Sequence, residues 1–369
     1  MRKKSILLQS VIILLLIFQV LSLNAKILMQ PYLQAVSGNS IIVMVETDSK
    51  DDVLINYHKN NPAITMTGKT SFYVKVKEKK NVFVHRVLLN NLEPGCSYTY
   101  NLSDGDRLYS GTFTSSAKPG SSFKFAVMRD CRSNPDIHSI ISKEFTKHSP
   151  LISVYTGDLC FDSRYNTWKK EFFTESELNL DKNVPFVNSL GNHEGSSHTS
   201  DAFLQGPNSD ISGSDYFYSF EYGDIHFLIL NTEESLKKGS KQYKFAEKDL
   251  QSSNKIWKIA VLHEPVYCAG GQGDNKSLYD LSDKIFEKND VSVVLAGHSH
   301  FYQRNLVGKI CHLVVGGGGA PLYSPETKDY VKKSAKEYHY AIVEASPKEL
   351  KFKVYDIYGK ILDEFDITK

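Results

Sequence analysis

The chain has 369 residues, of which 41% are hydrophobic and 23% charged, an ordinary composition for a globular protein with room for two domains. The formal net charge is only +2, so nothing in the charge balance argues for a nucleic-acid or acidic-surface partner, and we expect no nucleic acid to bind. The five cysteines are too few, and odd in number, for a disulfide framework.

The first residues have the pattern of a secretory signal peptide. Residues 2–4 are basic, residues 11–18 are an unbroken apolar run, and Ala25 ends a small-residue cleavage site. The alternative is an uncleaved membrane anchor, because the stretch 6–23 approaches the roughly 20 apolar residues of a span, although Gln9, Ser10 and Gln19 interrupt it. The pattern predicts a signal peptide over residues 1–25, a secreted or periplasmic protein, and no membrane span after cleavage.

Residues 26–116 predict an all-β domain. Alternating or β-branched runs, separated by turn residues, recur in seven places: 27–36, 41–47, 53–58, 70–77, 82–89, 97–103 and 108–114. Seven strands at this spacing favour a β-sandwich of the immunoglobulin type. The segment contains no cluster of titratable groups, so we expect a scaffold rather than a catalytic role.

The hydrophobic period changes after a short linker, and residues 121–369 predict a layered α/β domain with mixed sheets. Buried strands are predicted at 123–128, 151–156, 185–190, 256–262 and 291–296. Helices are predicted at 135–148, where Asn134 is a good N-cap, and at 240–252 and 278–288. Antiparallel strands are predicted at 216–221, 225–230, 338–344, 350–355 and 361–366.

Side chains that bind metals follow the buried strands. Each opens a loop after an apolar run: Asp130, Asp158, Asn192, His263, His298 and His300. Because the carboxyl ends of strands line the ligand crevice of an α/β sheet, we expect these side chains to meet there. Carboxylates, a carboxamide and imidazoles suit a pair of divalent or trivalent first-row metals. Any one of these residues alone would be a cap or a satisfied polar group, but their joint occurrence predicts a metal site.

The sequences of these motifs resemble those of the calcineurin-like metallophosphoesterases, and within that superfamily those of the purple acid phosphatases. The resemblance covers residues 27 to 366 and rests on Leu190-Gly-Asn-His-Glu194, Ala296-Gly-His-Ser-His-Phe-Tyr-Gln-Arg304 and the glycine-rich run 314–322. The segment 92–100, with a tyrosine at a corner, resembles the fibronectin type III pattern. The resemblance implies an exported metal-dependent phosphatase that hydrolyses phosphomonoesters of small molecules with a dinuclear metal centre.

The resemblance also implies roles for the candidate residues. Asp158 would bridge two metal ions, iron with zinc or manganese, because a carboxylate can span two cations. Asp130 and His300 would complete one metal site. The other site would be completed by Asn192, His263 and His298.

His193 follows the ligand Asn192 and resembles the family residue that contacts phosphate and protonates the leaving oxygen. General-acid help of this kind contributes about 10²–10⁴-fold to a rate. The alternative is that His193 only holds the neighbouring metal ligands in their orientation and takes no part in the reaction itself.

Two positions depart from the family pattern. Phe161 stands where purple acid phosphatases carry a ligating tyrosine, so the bond that gives them their colour should be absent. Arg132 stands where many members of the superfamily carry a histidine ligand. Its planar guanidinium is suited to binding the substrate phosphate, with a surface or ion-pair role as the alternative.

Two other functions stay open at this point. A phosphodiesterase or nucleotide hydrolase on the same fold would use the loops 195–214 and 267–277 for its leaving group. A catalytically inactive binding or surface-adhesion protein is the other, since the Asp130 site offers three obvious protein ligands rather than four.

Overall fold

The computed structural model describes residues 25–59, 65–128 and 130–369. The predicted signal peptide over residues 1–25 lies outside the described residues except for Ala25. Among the helices of the described ranges, none has the length and apolar character needed to cross a membrane.

The N-terminal region is the predicted β-sandwich. Its seven strands lie in the order β1-β2-β5-β4-β3-β6-β7. Their bounds are β1 Tyr32–Gln34, β2 Ile41–Thr47, β3 Leu54–Lys59, β4 Thr65–Lys75, β5 Phe83–Leu89, β6 Ser97–Ser103 and β7 Leu108–Thr114. The long strand β4 pairs with β3 through its first half and with β5 through its second, and a register shift between Thr70 and Phe72 carries it from one layer to the other.

The first strand is shorter than predicted. The run 27–36 contributes only β1, and Ile27 makes an isolated bridge to Thr47 instead. Pro31, directly before β1, has no N–H to donate to a strand ladder, which accounts for the late start.

A tyrosine braces the corner before β6, as the fibronectin-like pattern predicts. The backbone N–H of Glu93 donates to the Tyr98 hydroxyl at 2.9 Å, and Tyr98 is buried. The corner residues therefore depend on a side chain five positions along the chain rather than on a backbone ladder.

The second region is the predicted α/β structure, built from two mixed sheets. Their orders are β10-β9-β8-β18-β19-β20 and β11-β12-β13-β14-β16-β15-β17. The strands are β8 Phe123–Met128, β9 Ile152–Thr156, β10 Phe186–Ser189, β11 Tyr218–Tyr222, β12 Ile225–Ile229, β13 Trp257–Val261, β14 Val293–Ala296, β15 Tyr302–Val307, β16 Ile310–Val315, β17 Val331–Ala335, β18 His339–Ala345, β19 Glu349–Asp356 and β20 Ile361–Thr368. Strands β15, β16 and β17 were not predicted from the sequence. The segment predicted as antiparallel at 225–230 pairs antiparallel with β11 but parallel with β13.

The helices cover the outer faces of the two sheets. Their bounds are α1 Pro135–His148, α2 Tyr165–Thr167, α3 Glu175–Asp181, α4 His198–Phe203, α5 Ser209–Ser212, α6 Lys241–Ser252 and α7 Tyr279–Leu281, with a π-helical turn at Trp168–Phe172 after α2. The Asn134 side chain caps α1 by accepting from the Ile137 N–H, as predicted. The helix predicted at 278–288 is instead a series of short turns, in which a π-helical turn at Ser282–Phe286 follows α7.

The two sheets pack face to face through their apolar inner surfaces. Phe125 of β8 and Phe227 of β12 meet edge to face with ring centroids 5.6 Å apart. The sandwich joins the second region through polar contacts as well as this core. Tyr32 donates to the Phe203 carbonyl at 2.8 Å, and Lys169 pairs with buried Glu46 at 2.9 Å.

We expect Tyr98→Phe to lower the free energy of unfolding by about 0.5–1.5 kcal/mol, because the Glu93 N–H would lose its acceptor at this corner. Urea denaturation of the variant and the parent protein measures this difference. Tyr358→Phe is the matched control, since Tyr358 is 89% exposed. Equal denaturation midpoints for the Tyr98 variant and the control would show that the corner does not depend on this bond.

Candidate metal centre

The six predicted ligands meet at one edge of the molecule because of strand direction. β8, β9 and β10 are parallel neighbours in one sheet, and β13 and β14 are parallel neighbours in the other. Their carboxyl ends therefore open side by side. The first sheet supplies oxygen ligands from Asp130, Asp158 and Asn192, and the second supplies imidazole nitrogens from His263, His298 and His300.

One half of the site consists of Asp130, Asp158 and His300. Each offers a ligand atom, and the three atoms lie within 4.8 Å of one another. All three side chains are buried. The His300 Nε2 atom is 3.7 Å from Asp130 Oδ1.

The other half is centred on the Nε2 atom of His263. It lies 2.9 Å from Asn192 Oδ1, 3.1 Å from His298 Nδ1 and 3.4 Å from Asp158 Oδ1. Asp158 is therefore close to both groups of side chains.

The orientation of the imidazoles fits metal binding. His263 Nδ1 lies 2.8 Å from the Thr156 carbonyl and His300 Nδ1 lies 2.8 Å from the Pro321 carbonyl, so each Nδ1–H donates there. The Nε2 atom of His263 then carries a lone pair that faces the acceptor oxygens of Asn192 and Asp158, an arrangement that a cation would compensate. Burial is the largest of the causes that lower the pKa of His298 and of His300 to about 4. The low pKa keeps both imidazoles in the neutral form that ligation requires.

The backbone at the ligand positions is strained. Asp130, Asp158 and His298 all adopt positive φ angles, of 52°, 56° and 65°. A non-glycine residue in this left-handed backbone conformation costs roughly 1–3 kcal/mol, and such residues occur preferentially at functional sites. Gly191 clears space for this geometry, since a Cβ there would collide with the backbone N and the Oδ1 of Asp158.

The negative charge of Asp158 is stabilised where it is buried. Burial by itself would raise the pKa of Asp158, but His263, His193 and Arg132, with the hydrogen bond from the His193 N–H, hold that pKa below its usual value. The His193 N–H donates to Asp158 Oδ1 at 3.1 Å. The carboxylate is therefore ionised and available to a cation at neutral pH.

His193 lies beside the ligand set without being part of it. Its Nδ1–H donates to the Phe161 carbonyl at 2.7 Å, while its Nε2 lies 3.9 Å from Asp158 Oδ2. The side chain keeps 24% of its surface exposed, so a substrate can reach the Nε2 atom.

Arg132 and Phe161, the two departures from the family pattern, lie together at the mouth of the site. The Arg132 Nε donates to Asp158 Oδ2 at 3.1 Å, and its Nη2 lies 3.4 Å from His300 Nε2. The Phe161 ring is 50% exposed and contacts the His193 ring, with centroids 5.2 Å apart. Phe161 thus packs against the residues around the centre and ligates nothing.

Glu171 is a residue of this site that the sequence did not reveal. Its Oε2 accepts the backbone N–H of Ser133 at 3.0 Å and that of Phe161 at 2.7 Å. One carboxylate oxygen thereby ties the loop that carries Arg132 to the loop whose carbonyl orients His193. Glu171 lies in the short helical segment Trp168–Phe172, next to two lysines, where a charged residue is ordinarily solvated. No local sequence signal therefore distinguished it as a residue of the site.

Comparison with known proteins gives a matching family and a set of relatives. The model of the calcineurin-like phosphoesterases matches residues 131–302. The chain therefore carries a calcineurin-like phosphoesterase domain. Acid phosphatase type 7 of Danio rerio is 24% identical over 397 aligned positions, which span 90% of this chain and 88% of that protein.

The similarity to purple acid phosphatases extends over most of the chain, in agreement with the motifs. The Fe(3+)-Zn(2+) purple acid phosphatase 12 of Arabidopsis thaliana is 24% identical over 68% of this chain and 58% of that protein. The structure of purple acid phosphatase PPD1 from yellow lupin seeds has the same fold, with a TM-score of 0.81 and 19% identity over 92% of this chain and 74% of that one. Other relatives carry the name probable inactive purple acid phosphatase.

These findings confirm the predicted family, the predicted fold and the class of phosphoric ester hydrolases. The structure brings together all eight predicted site residues of the phosphoesterase domain. Their individual roles as ligands, proton donor and phosphate contact stay predictions, as do the domain boundaries at 26–116 and 121–369.

We expect Glu171→Ala to raise the hydrogen-exchange rates of the Ser133 and Phe161 amides at least about tenfold, because a hydrogen bond to a charged acceptor contributes about 1.5–3 kcal/mol. Glu171→Gln keeps an acceptor oxygen and should restore part of the protection. Amide exchange followed by mass spectrometry gives both rates. Glu175→Ala, at an exposed position in α3, is the control. Unchanged exchange in Glu171→Ala would contradict the positioning role.

Proposed function

We propose that this protein is an exported, metal-dependent phosphomonoesterase with a dinuclear centre, in which iron is paired with zinc or manganese. The position of Asp158 carries the proposal. Its carboxylate lies within 4.8 Å of the Asp130 and His300 ligand atoms and 3.4 Å from the His263 Nε2. A carboxylate between two sets of donors is the arrangement that a pair of cations requires.

The donor chemistry supports this metal assignment. Asp130, Asp158 and His300 would hold one cation, and Asn192, His263 and His298 would share Asp158 to hold the other. When bound, the two cations would neutralise phosphate oxygens and lower the pKa of a water molecule.

The remaining side chains would act on the substrate itself. Arg132 presents a planar guanidinium beside the ligand set, which suits a phosphate oxygen pair. His193, with its Nδ1–H held by the Phe161 carbonyl, directs Nε2 outward. A proton on Nε2 could pass to the leaving alkoxide, which is otherwise too basic to depart readily.

Export is supported by the sequence pattern at the N-terminus. A basic start, an apolar run over 11–18 and a small-residue site ending at Ala25 are the features of a cleaved secretory signal. We infer a secreted or periplasmic location on this ground.

One observation favours a second candidate, a catalytically inactive protein of the same fold. The Arg132 guanidinium lies 3.1 Å from Asp158 Oδ2 and 3.4 Å from His300 Nε2. A fixed positive charge so close to two of the three donors would compete with a cation for them. Elemental analysis of the purified protein separates the two candidates, since one metal or none per chain supports the inactive protein.

We expect Asp158→Ala to lose most bound metal and nearly all turnover of phosphomonoesters, because the variant lacks the carboxylate that the two halves of the site would share. Metal content by elemental analysis and hydrolysis of 4-nitrophenyl phosphate measure the two effects. Asp366→Ala, at an exposed position in β20, serves as the control. Full activity in Asp158→Ala, or in protein treated with a chelator, would contradict the proposal of a metal-dependent hydrolase.

A second variant separates His193 from the ligands. His193→Ala should keep its metal but lose turnover of alkyl phosphates by about 10²-fold or more, since their alkoxides need a proton. Aryl phosphates should suffer less, because phenolate departs without much help. His198→Ala is the control, with a side chain 59% exposed. Equal losses on both substrate types would point to phosphate binding, and loss of metal would point to a supporting role.

A further inference from the structure

A cavity of about 430 Å³ adjoins the candidate centre on the side of His298. Its other walls come from the loop that directly follows His263: Glu264, Pro265, Gln272, Gly273, Asp274, Asn275 and Lys276. Space next to the predicted ligands is where the part of a phosphoester beyond its phosphorus would lie.

The wall of this cavity is held in place by a set of polar contacts. Asp274 accepts from the Cys268 N–H at 2.8 Å, the Tyr279 hydroxyl at 3.0 Å and the Lys328 ammonium at 2.7 Å. The buried Gln303 side chain bonds both the N–H and the carbonyl of Ala269, at 2.8 and 2.9 Å. The cavity is therefore preformed, which reduces the entropic cost of binding.

Glu264 is the charged group of this wall that is left for a ligand. Lys328 neutralises Asp274, whereas the Glu264 carboxylate accepts from the neutral Asn275 amide, whose Nδ2 donates at 2.5 Å. Burial in the first place, and then repulsion by the Glu264 charge, raise the pKa of Glu233, on the loop after β12, to about 7. A cation in the cavity would relieve that repulsion.

The cavity also contains Lys276, but this ammonium lies at the exposed end of a flexible stem. Glu264 is half-buried and held by Asn275, so it is the group with a defined position. A fixed charge determines ligand preference more strongly than a mobile, solvated one. The cavity therefore favours a positive group on the ligand.

We propose that this cavity receives the leaving group of the phosphoester and selects one that carries an ammonium, as in a phosphorylated amino alcohol. The inference rests on the proposed phosphomonoesterase activity. In the reaction, the bond between phosphorus and the amino alcohol oxygen breaks and a bond between phosphorus and a water oxygen forms. The leaving alkoxide takes up a proton, and its ammonium stays paired with the Glu264 carboxylate.

The test compares ethanolamine phosphate with 2-hydroxyethyl phosphate, which has nearly the same shape but no charge on its leaving group. In metal-loaded wild-type protein we expect kcat/KM to be at least about tenfold higher for ethanolamine phosphate, the effect of one charged hydrogen bond. Glu264→Gln should bring the ratio close to one with metal content unchanged. Glu326→Gln, an exposed position outside the cavity wall, should leave the ratio as in wild type.

A binding measurement keeps this inference separate from the proposed function. Calorimetry with 3-aminopropylphosphonate and butylphosphonate needs no turnover, and the amino compound should bind about tenfold tighter in a manner that Glu264→Gln abolishes. If 4-nitrophenyl phosphate is hydrolysed but wild type treats the charged and neutral members of each pair alike, the inference is wrong and the activity stands. If no phosphomonoester is hydrolysed, the activity fails and the phosphonate pair alone decides the cavity's preference.

Discussion

The structure of the site depends on one buried negative charge. Asp158 is 1% exposed, and a buried carboxylate is costly unless charges or hydrogen bonds compensate it. The His193 N–H, the Arg132 guanidinium and His263 all turn towards it. This compensation draws together loops from both sheets.

The fold gives the two sheets different chemical roles in the same site. Parallel strands of the first sheet end in carboxylates and a carboxamide, while those of the second end in imidazoles. Neither sheet alone provides a mixed set of oxygen and nitrogen donors, which is the set that borderline first-row metals prefer. The apolar contact between the inner faces, with Phe125 against Phe227, is therefore also what assembles the centre.

Both departures from the family pattern replace a side chain that could ligate a metal, and both residues lie around the six candidate ligands. Phe161 cannot ligate, yet its carbonyl orients His193 and its N–H is held by Glu171. Arg132 adds a permanent positive charge where a neutral ligand is usual. The electrostatic balance of the site is thus shifted towards binding anions at Arg132, while Glu264 provides negative charge on the opposite, cavity-forming loop.

Most of the secondary structure of the second region was predictable, because its parallel strands such as β9, β10 and β14 are buried on both faces and so form continuous apolar runs. Among the missed strands β15 to β17, β16 is also a buried run and had the same local signal, whereas β17 did not. In β17 the sequence Val331–Ala335 is mostly polar, and its strand conformation depends on antiparallel pairing with β15. Such pairing is a tertiary contact that local periodicity does not report.

The sequence by itself determined the chemical identity of the candidate ligands and their positions after strands, because apolar runs and the residues that follow them are local features. Only the tertiary structure decided which ligands are neighbours and what lies between them. Arg132 and His300 are separated by 168 residues, and their contact follows from the packing of two sheets. The same holds for Glu171, whose role comes from two loops that fold against it. Packing distances between segments remote in the chain are set by the whole core, and no short motif encodes them.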